Sequence, residues 1–288
     1  MRVITVQFDY GSKDSYKRLL DVFRYSVVKN MPTVDLEVIT CDPPRNIKDR
    51  SSGLVSNTAK LAIWIDRFLA CEDDVIFMDC DMVVLKDMTD AFELDFDIAY
   101  TVRNGGLGKR QRIPINGGVL FAKYNERTIN FLNEWLTINN RMFMNPAFHR
   151  DWRKKYAGMN QSAFGYMLER TNYCKAVSLP CSIYNVCNTE WADITENSRC
   201  LHIKSHLRRA CLGTHKVSIS KYMQYPYDLW KQYEDEYFTV KRLYDEEKRS
   251  KEKMGRNSRT PAKRQTRPRR GNWGVDGKNQ RRSAEVTP

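Results

Sequence analysis

Long apolar runs and closely paired cysteines are both missing from this sequence. No stretch approaches the roughly 18 apolar residues of a membrane span. None of the 8 cysteines belongs to a CxxC pair, so the ligand spacing of a zinc knuckle is missing. Residues 1–6 have the pattern of a first strand and no signal-peptide core. These features predict a cytoplasmic protein whose cysteines are core residues rather than a disulfide framework.

Composition places the chain among ordinary globular proteins. Its 288 residues are 41% hydrophobic and 29% charged, and they suffice to bury a core. The net charge of +13 is concentrated at one end, since residues 249–288 contain 13 Lys/Arg and 3 Asp/Glu. The preceding residues contain 35 basic and 32 acidic side chains. The basic character therefore belongs to a tail and not to the folded part.

Strand-like and helix-like patterns alternate through the first part of the chain. Helical stripes separate several of the apolar runs, which is typical of a mostly parallel sheet covered by helices on both faces. Ligands bind at the carboxyl ends of the strands in such α/β folds. The predicted strands are residues 3–8, 35–40, 75–78, 82–85, 97–101 and 118–123.

The second part of the chain is less regular. Helices are expected over residues 126–139 and 160–169, and strands over 174–179 and 200–204. A long amphipathic helix is predicted to begin at Pro226, because a proline is tolerated in the first turn. Few apolar residues follow, which indicates disorder. The predicted organisation is a domain over residues 1–225, a helix over 226–253 and a disordered basic tail over 254–288.

Two carboxylates follow the most apolar strand. Residues 75–78 are Val-Ile-Phe-Met, and Asp79-Cys80-Asp81 comes next. Residues two apart on an extended chain share one face, about 6–7 Å apart. Carboxylates at a strand end suit a hard divalent cation such as Mg²⁺ or Mn²⁺, which can also hold a diphosphate. The alternative for so short a motif is a turn or a helix cap.

Five ordered segments resemble one known family. They are Lys60-Leu61 within a helix, the strand ending in Asp79-Cys80-Asp81, Asn116-Gly117-Gly118, Asn160-Gln161, and His202 with Arg208 six residues later. Together they resemble the donor-binding core of the glycogenin-type glycosyltransferases, family 8, over about residues 1–210.

The resemblance implies a GT-A fold, a nucleotide-sugar donor that is usually UDP-linked, and Mn²⁺ or Mg²⁺. It implies Asp79, Asp81 and His202 as metal ligands. It implies Asn160 and Gln161 as the residues near the reacting sugar carbon. The implied donor-binding residues are Phe8, Asp9, Tyr10, Tyr16, Lys60, Asp79, Asn116, Gly117 and Arg208, with the aromatic residues bracketing the uracil.

Three positions depart from the family pattern. Asn160 replaces an aspartate, so a charged hydrogen-bond acceptor becomes neutral. Arg208 replaces the lysine of the HxxGxxK motif and would contact phosphate with forked geometry. The glycine of that motif is missing from the segment around Ser205. We therefore expect the backbone there to approach the diphosphate differently.

The sequence leaves the function open among three classes. The first is a metal-dependent glycosyltransferase that moves a hexose to an unknown acceptor hydroxyl, retaining the anomeric configuration. The second is a nucleotidyltransferase, since paired aspartates on such a sheet also suit two-metal phosphoryl chemistry. The third is a non-catalytic nucleic-acid-binding protein. Its basic tail would contact a polyanion, either nucleic acid or an acidic glycan.

Overall fold

A computed structural model describes residues 1–10, 15–45, 51–103, 114–214 and 217–257. The strands are β1 (Arg2–Phe8), β2 (Asp35–Cys41), β3 (Val75–Met78), β4 (Met82–Val84), β5 (Ile98–Val102), β6 (Ile115–Ala122), β7 (Ala176–Pro180) and β8 (Cys200–His202). The helices are α1 (Ser15–Asn30), α2 (Ser52–Cys71), α3 (Glu126–Met144), α4 (Pro146–Arg153), α5 (Asn160–Arg170), α6 (Cys181–Tyr184), α7 (Ser205–Leu212) and α8 (Lys221–Asn257). Two 3₁₀ helices cover Thr89–Glu93 and Asn188–Asp193.

The main sheet has six strands in the order β2-β1-β3-β6-β5-β7. Strand β1 is parallel to β2 and β3, and β5 is parallel to β7. Strand β6 is antiparallel to both of its neighbours. A second, two-stranded sheet pairs β4 with β8. The mixed, mostly parallel α/β sheet expected from the alternating pattern is thereby confirmed.

Strand β3 is apolar throughout because both faces of the sheet are covered. Val75 and Phe77 pack into a cluster with helices α2, α3 and α5. Ile76 and Met78 point to the opposite face and pack in a cluster that includes helix α1. Every residue of β3 is buried. A strand without polar positions is typical of the centre of a doubly covered sheet.

The chain divides into two compact units, Met1–Lys241 and Arg242–Pro288. The first contains both sheets and α1 to α7. In the described part of the second, an ion pair joins Lys251 and Glu247 along helix α8. Within the described ranges, no helix is both long and apolar enough to cross a membrane.

Helix α8 begins five residues before its predicted start at Pro226. Met223 and Trp230 are buried on either side of this proline and pack into a third cluster with α1, β4, β8 and α7. Burial of this stripe stabilises the helix despite the missing N–H at Pro226. The helix also includes residues 254–257, which the sequence analysis assigned to the disordered tail. Residues 258–288 of that tail lie outside the described residues.

Candidate metal and donor site

The Asp79–Asp81 turn is held between two strands by backbone hydrogen bonds. The amide of Asp79 donates to the carbonyl of Gly118 in β6 at 2.9 Å. The amide of Ile203, just after β8, donates to the carbonyl of Asp81 at 2.8 Å. The two carboxylates therefore stand at the carboxyl end of β3, where α/β folds bind ligands.

His202 reaches this turn through the small sheet. Strand β8 runs antiparallel to β4 and places His202 opposite Met82. The His202 Nε2 atom lies 3.3 Å from Asp81 Oδ1 and 3.8 Å from Asp79 Oδ2. One ligand atom from each of the three side chains falls within 4.8 Å of the others. The structure thus brings together the three residues that the resemblance implied as metal ligands.

Asn185 fixes the orientation of the His202 ring. Its Oδ1 atom lies 3.0 Å from His202 Nδ1, while its Nδ2 donates to Thr101 Oγ1 at 2.9 Å and to the Asn116 carbonyl at 3.2 Å. An amide oxygen facing Nδ1 accepts the proton on that nitrogen, so Nε2 is the ring nitrogen that faces the two carboxylates and would bind a metal ion. Sequence analysis missed Asn185, since no local pattern distinguishes it from any other asparagine.

Gly118 provides the space in which the His202 ring sits. A Cβ atom built on Gly118 would lie 2.6 Å from Cε1 and 2.7 Å from Nδ1 of His202. Contacts this short are prohibitive, so any larger residue would displace the ring. The glycine in the Asn116-Gly117-Gly118 segment therefore has a direct structural role in the site.

Each carboxylate has one oxygen paired with a cation and one facing His202. Lys60 Nζ pairs with Asp79 Oδ1, and Arg208 Nη1 lies 3.0 Å from Asp81 Oδ2. Asp79 Oδ2 and Asp81 Oδ1 are the oxygens nearest His202 Nε2. Two carboxylate oxygens and one imidazole nitrogen form a donor set that suits Mn²⁺ or Mg²⁺. The residues present therefore fit a divalent cation.

The electrostatic surroundings keep Asp81 ionised. Burial by itself would raise the pKa of the Asp81 carboxyl, but the adjacent His202, Arg208 and Lys204 hold it well below its usual range. Burial raises the pKa of the neighbouring Tyr16 hydroxyl, with Arg208 opposing that shift. Asp81 is thus charged at neutral pH, and Tyr16 is a neutral hydrogen-bonding group.

A cleft of about 450 Å³ extends from the two aspartates toward the end of β1. Phe8, Tyr10 and Tyr16 line it, and Asp9 lies between the first two. The Tyr10 hydroxyl hydrogen-bonds Ser56 Oγ at 2.9 Å, and the Arg208 guanidinium sits 5.2 Å from the Tyr16 ring centroid. Aromatic side chains around a slot of this kind suit a planar base.

The same cleft continues past the aspartates into a second part with a volume of about 300 Å³. Gly117, Asn160 and Gln161 line this far end. Gln161 Nε2 donates to the Ile115 carbonyl at 3.1 Å, and Asn160 Nδ2 donates to the Asn57 carbonyl at 2.9 Å. Asn160 Oδ1 is buried and has no partner among the described residues.

Lys204 is a further cleft residue that sequence analysis missed. It lines the far end, and its Nζ lies 3.5 Å from Asn116 Oδ1. Asn116 is itself buried, and its Nδ2 donates to Cys187 Sγ at 3.0 Å. The position of Lys204 follows from the pairing of β8 with β4, which no short-range pattern reveals.

The segment that carries Arg208 forms helix α7, a helix that sequence analysis did not identify. Ser205 starts this helix with φ of 54°, a left-handed conformation that favours glycine. Ser205 stands at the glycine position of the HxxGxxK motif. The chain therefore keeps the backbone turn of that motif with a residue that adopts it less readily.

Two other histidines lie away from the candidate metal site. His149 is buried, and its Nε2 lies 3.0 Å from the Gly158 carbonyl. His206 is exposed and lines a second cleft.

Three solved structures share this architecture. A glycosyltransferase involved in glycosylation of the major capsid of PBCV-1 matches with a TM-score of 0.52 and 12% identity, covering 75% of this chain and 100% of its own. The galactosyltransferase LgtC, solved with donor and acceptor sugar analogs, matches with a TM-score of 0.53 and 12% identity. The match covers 82% of this chain and 96% of LgtC. Apo GlyE, a glycosyltransferase from Streptococcus pneumoniae TIGR4, matches with a TM-score of 0.52 and 19% identity. The match covers 83% of this chain and 63% of GlyE. These similarities establish the GT-A fold.

The family follows from the sequence itself. Residues 58–254 match the nucleotide-diphospho-sugar transferase family. The chain belongs to this family and is a glycosyltransferase of the family 8 type. No curated protein sequence matches it.

Proposed function

We propose that this protein transfers a hexose from a nucleoside diphosphate sugar, UDP-linked by preference, to a hydroxyl group of an acceptor. The observation that carries the proposal is the position of the Asp79, Asp81 and His202 ligand atoms midway along one cleft. An aromatic slot lies on one side of them and an amide-lined space on the other. This order matches base, diphosphate and sugar along a donor molecule.

The base and diphosphate would be held by the first part of the cleft. Phe8, Tyr10 and Tyr16 would enclose the uracil, with Asp9 beside them at the end of β1. Lys60 and Arg208 each pair with one aspartate oxygen. Both cations stand close enough to the aspartates to contact a diphosphate bound there, and Arg208 can do so in a bidentate manner.

A divalent cation would be held by Asp79, Asp81 and His202. When bound, Mn²⁺ or Mg²⁺ supplies Lewis-acid neutralisation of the leaving diphosphate. Asn185 contributes by keeping the proton on His202 Nδ1. Asp81 contributes by remaining ionised in a buried position.

Asn116, Gly117, Asn160 and Gln161 would surround the sugar. Among the described residues that line this end, the carboxylates are Asp79 and Asp81 alone, and both belong to the candidate metal site. The side chains therefore offer no separate base for the acceptor, which supports retention with help from the donor. The acceptor oxygen bonds to the anomeric carbon as the bond to the diphosphate oxygen breaks. The acceptor proton passes to a phosphate oxygen, and Asn160 and Gln161 orient the sugar.

The test is donor consumption over a panel of nucleotide sugars, with and without Mn²⁺. We expect release of nucleoside diphosphate that requires metal and falls at least 100-fold in Asp81→Ala, the order of loss for a key catalytic group. Asp95→Ala is a matched control, because Asp95 is 91% exposed and pairs only with Lys175 in the described structure. Anomeric configuration is then determined by NMR of the product.

Other outcomes would overturn the proposal. Release of pyrophosphate would indicate nucleotidyl transfer. Metal-independent turnover, or full activity of Asp81→Ala, would remove the candidate metal site from the mechanism. Binding to nucleic acid without donor turnover would favour the non-catalytic alternative, and removal of residues 258–288 would then abolish that binding.

A further inference from the structure

The far part of the donor cleft contains more cations than carboxylates. Among the described residues that line it, the cations are Lys60, Lys204 and Arg208, and the carboxylates are Asp79 and Asp81. Lys60 pairs with Asp79, and Arg208 pairs with Asp81. In the described part of the chain, Lys204 has no ion-pair partner, and its ammonium lies 3.5 Å from an uncharged amide oxygen. The positive charge of Lys204 is therefore in excess.

This excess charge is local to the donor cleft. A second cleft of about 690 Å³, formed by the 3₁₀ helix Asn188–Asp193 and the starts of α7 and α8, meets the far part at Ser205. No Asp, Glu, Lys or Arg is among the described residues that line this second cleft. Of the two clefts, the donor cleft is thus the one that presents an unpaired cation.

The position of Lys204 assigns its charge to the sugar end. Lys204 lines the far part only, whereas Lys60 and Arg208 also line the part that leads to the aromatic slot. The amide oxygen next to its ammonium is Asn116 Oδ1. Asn116 is held in turn by the buried Cys187, whose Sγ accepts from Asn116 Nδ2 at 3.0 Å. The ammonium therefore stands beside the residues that would surround the sugar, while Lys60 and Arg208 are placed for the diphosphate.

A second feature changes the charge of the far part in the same direction. Asn160 lines this part and replaces the aspartate of the family pattern. An aspartate would repel an anionic sugar, because like charges a few ångströms apart interact strongly away from bulk water. The neutral amide of Asn160 removes that repulsion.

Helix stability does not explain a lysine at position 204. Lys204 is the N-cap residue of α7, and its side chain makes no capping hydrogen bond. N-cap positions favour Ser, Thr, Asp and Asn, and a cation there faces the positive end of the helix dipole. The residue therefore costs helix stability, which is the pattern expected of a side chain that serves a ligand.

A bound donor with a neutral sugar would leave the charge of Lys204 unbalanced. The divalent cation and the doubly charged diphosphate of a nucleotide sugar offset each other. The two ion pairs of the cleft are balanced as well. A carboxylate on the sugar would offset the remaining charge and accept a charge-assisted hydrogen bond from the Lys204 ammonium.

We infer that the donor sugar is a hexuronic acid and that Lys204 selects it by binding its carboxylate. This inference rests on the proposed function, since it names the class of sugar that the same cleft would take. Lys204 is then a specificity-determining residue, and Asn160 contributes by being uncharged.

Binding of matched donors is the test. UDP-glucuronate, UDP-galacturonate, UDP-glucose, UDP-galactose and UDP are titrated by calorimetry against the full chain in the presence of Mn²⁺. We expect at least one uronate to bind about tenfold more tightly than the neutral sugar of the same ring configuration, the gain expected for one hydrogen bond between charged groups. In Lys204→Met this preference should disappear while the affinity for UDP is unchanged. Lys204→Arg keeps the charge and should keep a preference for the uronate.

The matched control is Lys154→Met, because Lys154 is 73% exposed, pairs with Asp151 and lines neither part of the donor cleft. It should bind all five ligands like the wild type. Equal affinities of the wild type for uronates and neutral sugars would overturn the inference, as would a uronate preference that persists in Lys204→Met. Equal weakening of UDP and of every UDP-sugar in that variant would also overturn it, since Lys204 would then bind the diphosphate. Failure of UDP itself to bind would instead overturn the proposed function, and this inference with it.

Discussion

The two clefts that meet at Ser205 differ in how their polar groups are paired. In the donor cleft, Lys60 pairs with Asp79, Arg208 with Asp81, and His202 with Asn185. In the second cleft, charged side chains are missing from the described lining and three buried polar atoms are unpaired. The first site is organised around charges that balance one another. The second has no such charges among its described lining residues.

The balanced charges of the donor cleft suit a charged ligand. A site with balanced charges can exchange its internal ion pairs for a metal ion and a diphosphate without leaving a buried charge unpaired. Binding there should weaken as salt is added, because it depends on charge. Titrations of UDP at low and high salt measure this dependence.

The largest effect in the donor cleft is expected from Gly118→Ala. The added methyl group would collide with the His202 ring at 2.6–2.7 Å, and displacement of a catalytic group by about 1 Å can lower activity about 100-fold. Metal-dependent donor turnover should fall by that amount. Asp95→Ala is the control, because Asp95 is 91% exposed and lines neither part of the donor cleft. Equal turnover in the two variants would show that the ring position does not matter.

A smaller effect, a loss of metal affinity, is expected from Asn185→Ala. Removing a group that orients a metal-binding histidine usually lowers metal affinity about 10- to 100-fold. Asn185→Asp should retain part of the affinity, since its carboxylate still accepts from His202 Nδ1 but loses the bonds to Thr101 and Asn116. Mn²⁺ titrations of the wild type, Asn185→Asp and Asn185→Ala measure these affinities. An Asn185→Ala protein with wild-type Mn²⁺ affinity would contradict the positioning role.

The contrast between Asp79 and Asn185 also shows what sequence can reveal. Asp79 and Asp81 follow a strand whose four residues are all apolar, so the strand, its end and its carboxylates are visible locally. The position of His202 was expected because its segment matched a family motif. Asn185 and Lys204 were not foreseen, because their roles arise from contacts between segments far apart in the chain.

Element boundaries were predicted where local signals and packing agree. Strand β3 was predicted with its observed bounds for that reason. The start of α8 was misplaced, since Pro226 is a local signal for a first turn while the burial of Met223 depends on distant partners. Helix α7 was missed because it begins at Ser205 with a positive φ, which is not a helix-start signal in the sequence.

A carboxylate outside both clefts should contribute stability. Asp97 is buried and accepts hydrogen bonds from Arg127, Asn125 and the Lys175 amide. Burial opposes ionisation, but these partners lower the pKa of Asp97 below 3.8. The stability that the ionised Asp97 carboxylate gives to the folded protein is therefore complete above about pH 4 and is lost as the pH falls toward the lowered pKa.

We expect Asp97→Asn to reduce the free energy of unfolding by about 1–3 kcal/mol at neutral pH, allowing for the exposure of Arg127. The difference from wild type should shrink on acidification below about pH 4. Urea unfolding at several pH values measures it, with Asp95→Asn as an exposed control. A difference that grows in acid would show that the pKa of Asp97 is not lowered.

The smallest effect is expected at Ser205, the residue shared by the two clefts. Ser205→Gly removes the strain of a left-handed residue, about 1 kcal/mol, but increases the freedom of the unfolded chain by nearly as much. Urea unfolding should show a gain in stability below about 1 kcal/mol. A clear loss of stability would show that the Ser205 side chain makes a stabilising contribution that its backbone conformation conceals.

The central claim is that His202 joins Asp79 and Asp81 in binding one divalent cation. Isothermal titration of Mn²⁺ in the presence of UDP, compared between wild type and His202→Ala, tests it most directly. We predict one Mn²⁺ per chain in the wild type and at least about tenfold weaker binding in the variant, as expected for loss of one of three protein ligands. Equal stoichiometry and affinity in the two proteins would contradict the claim.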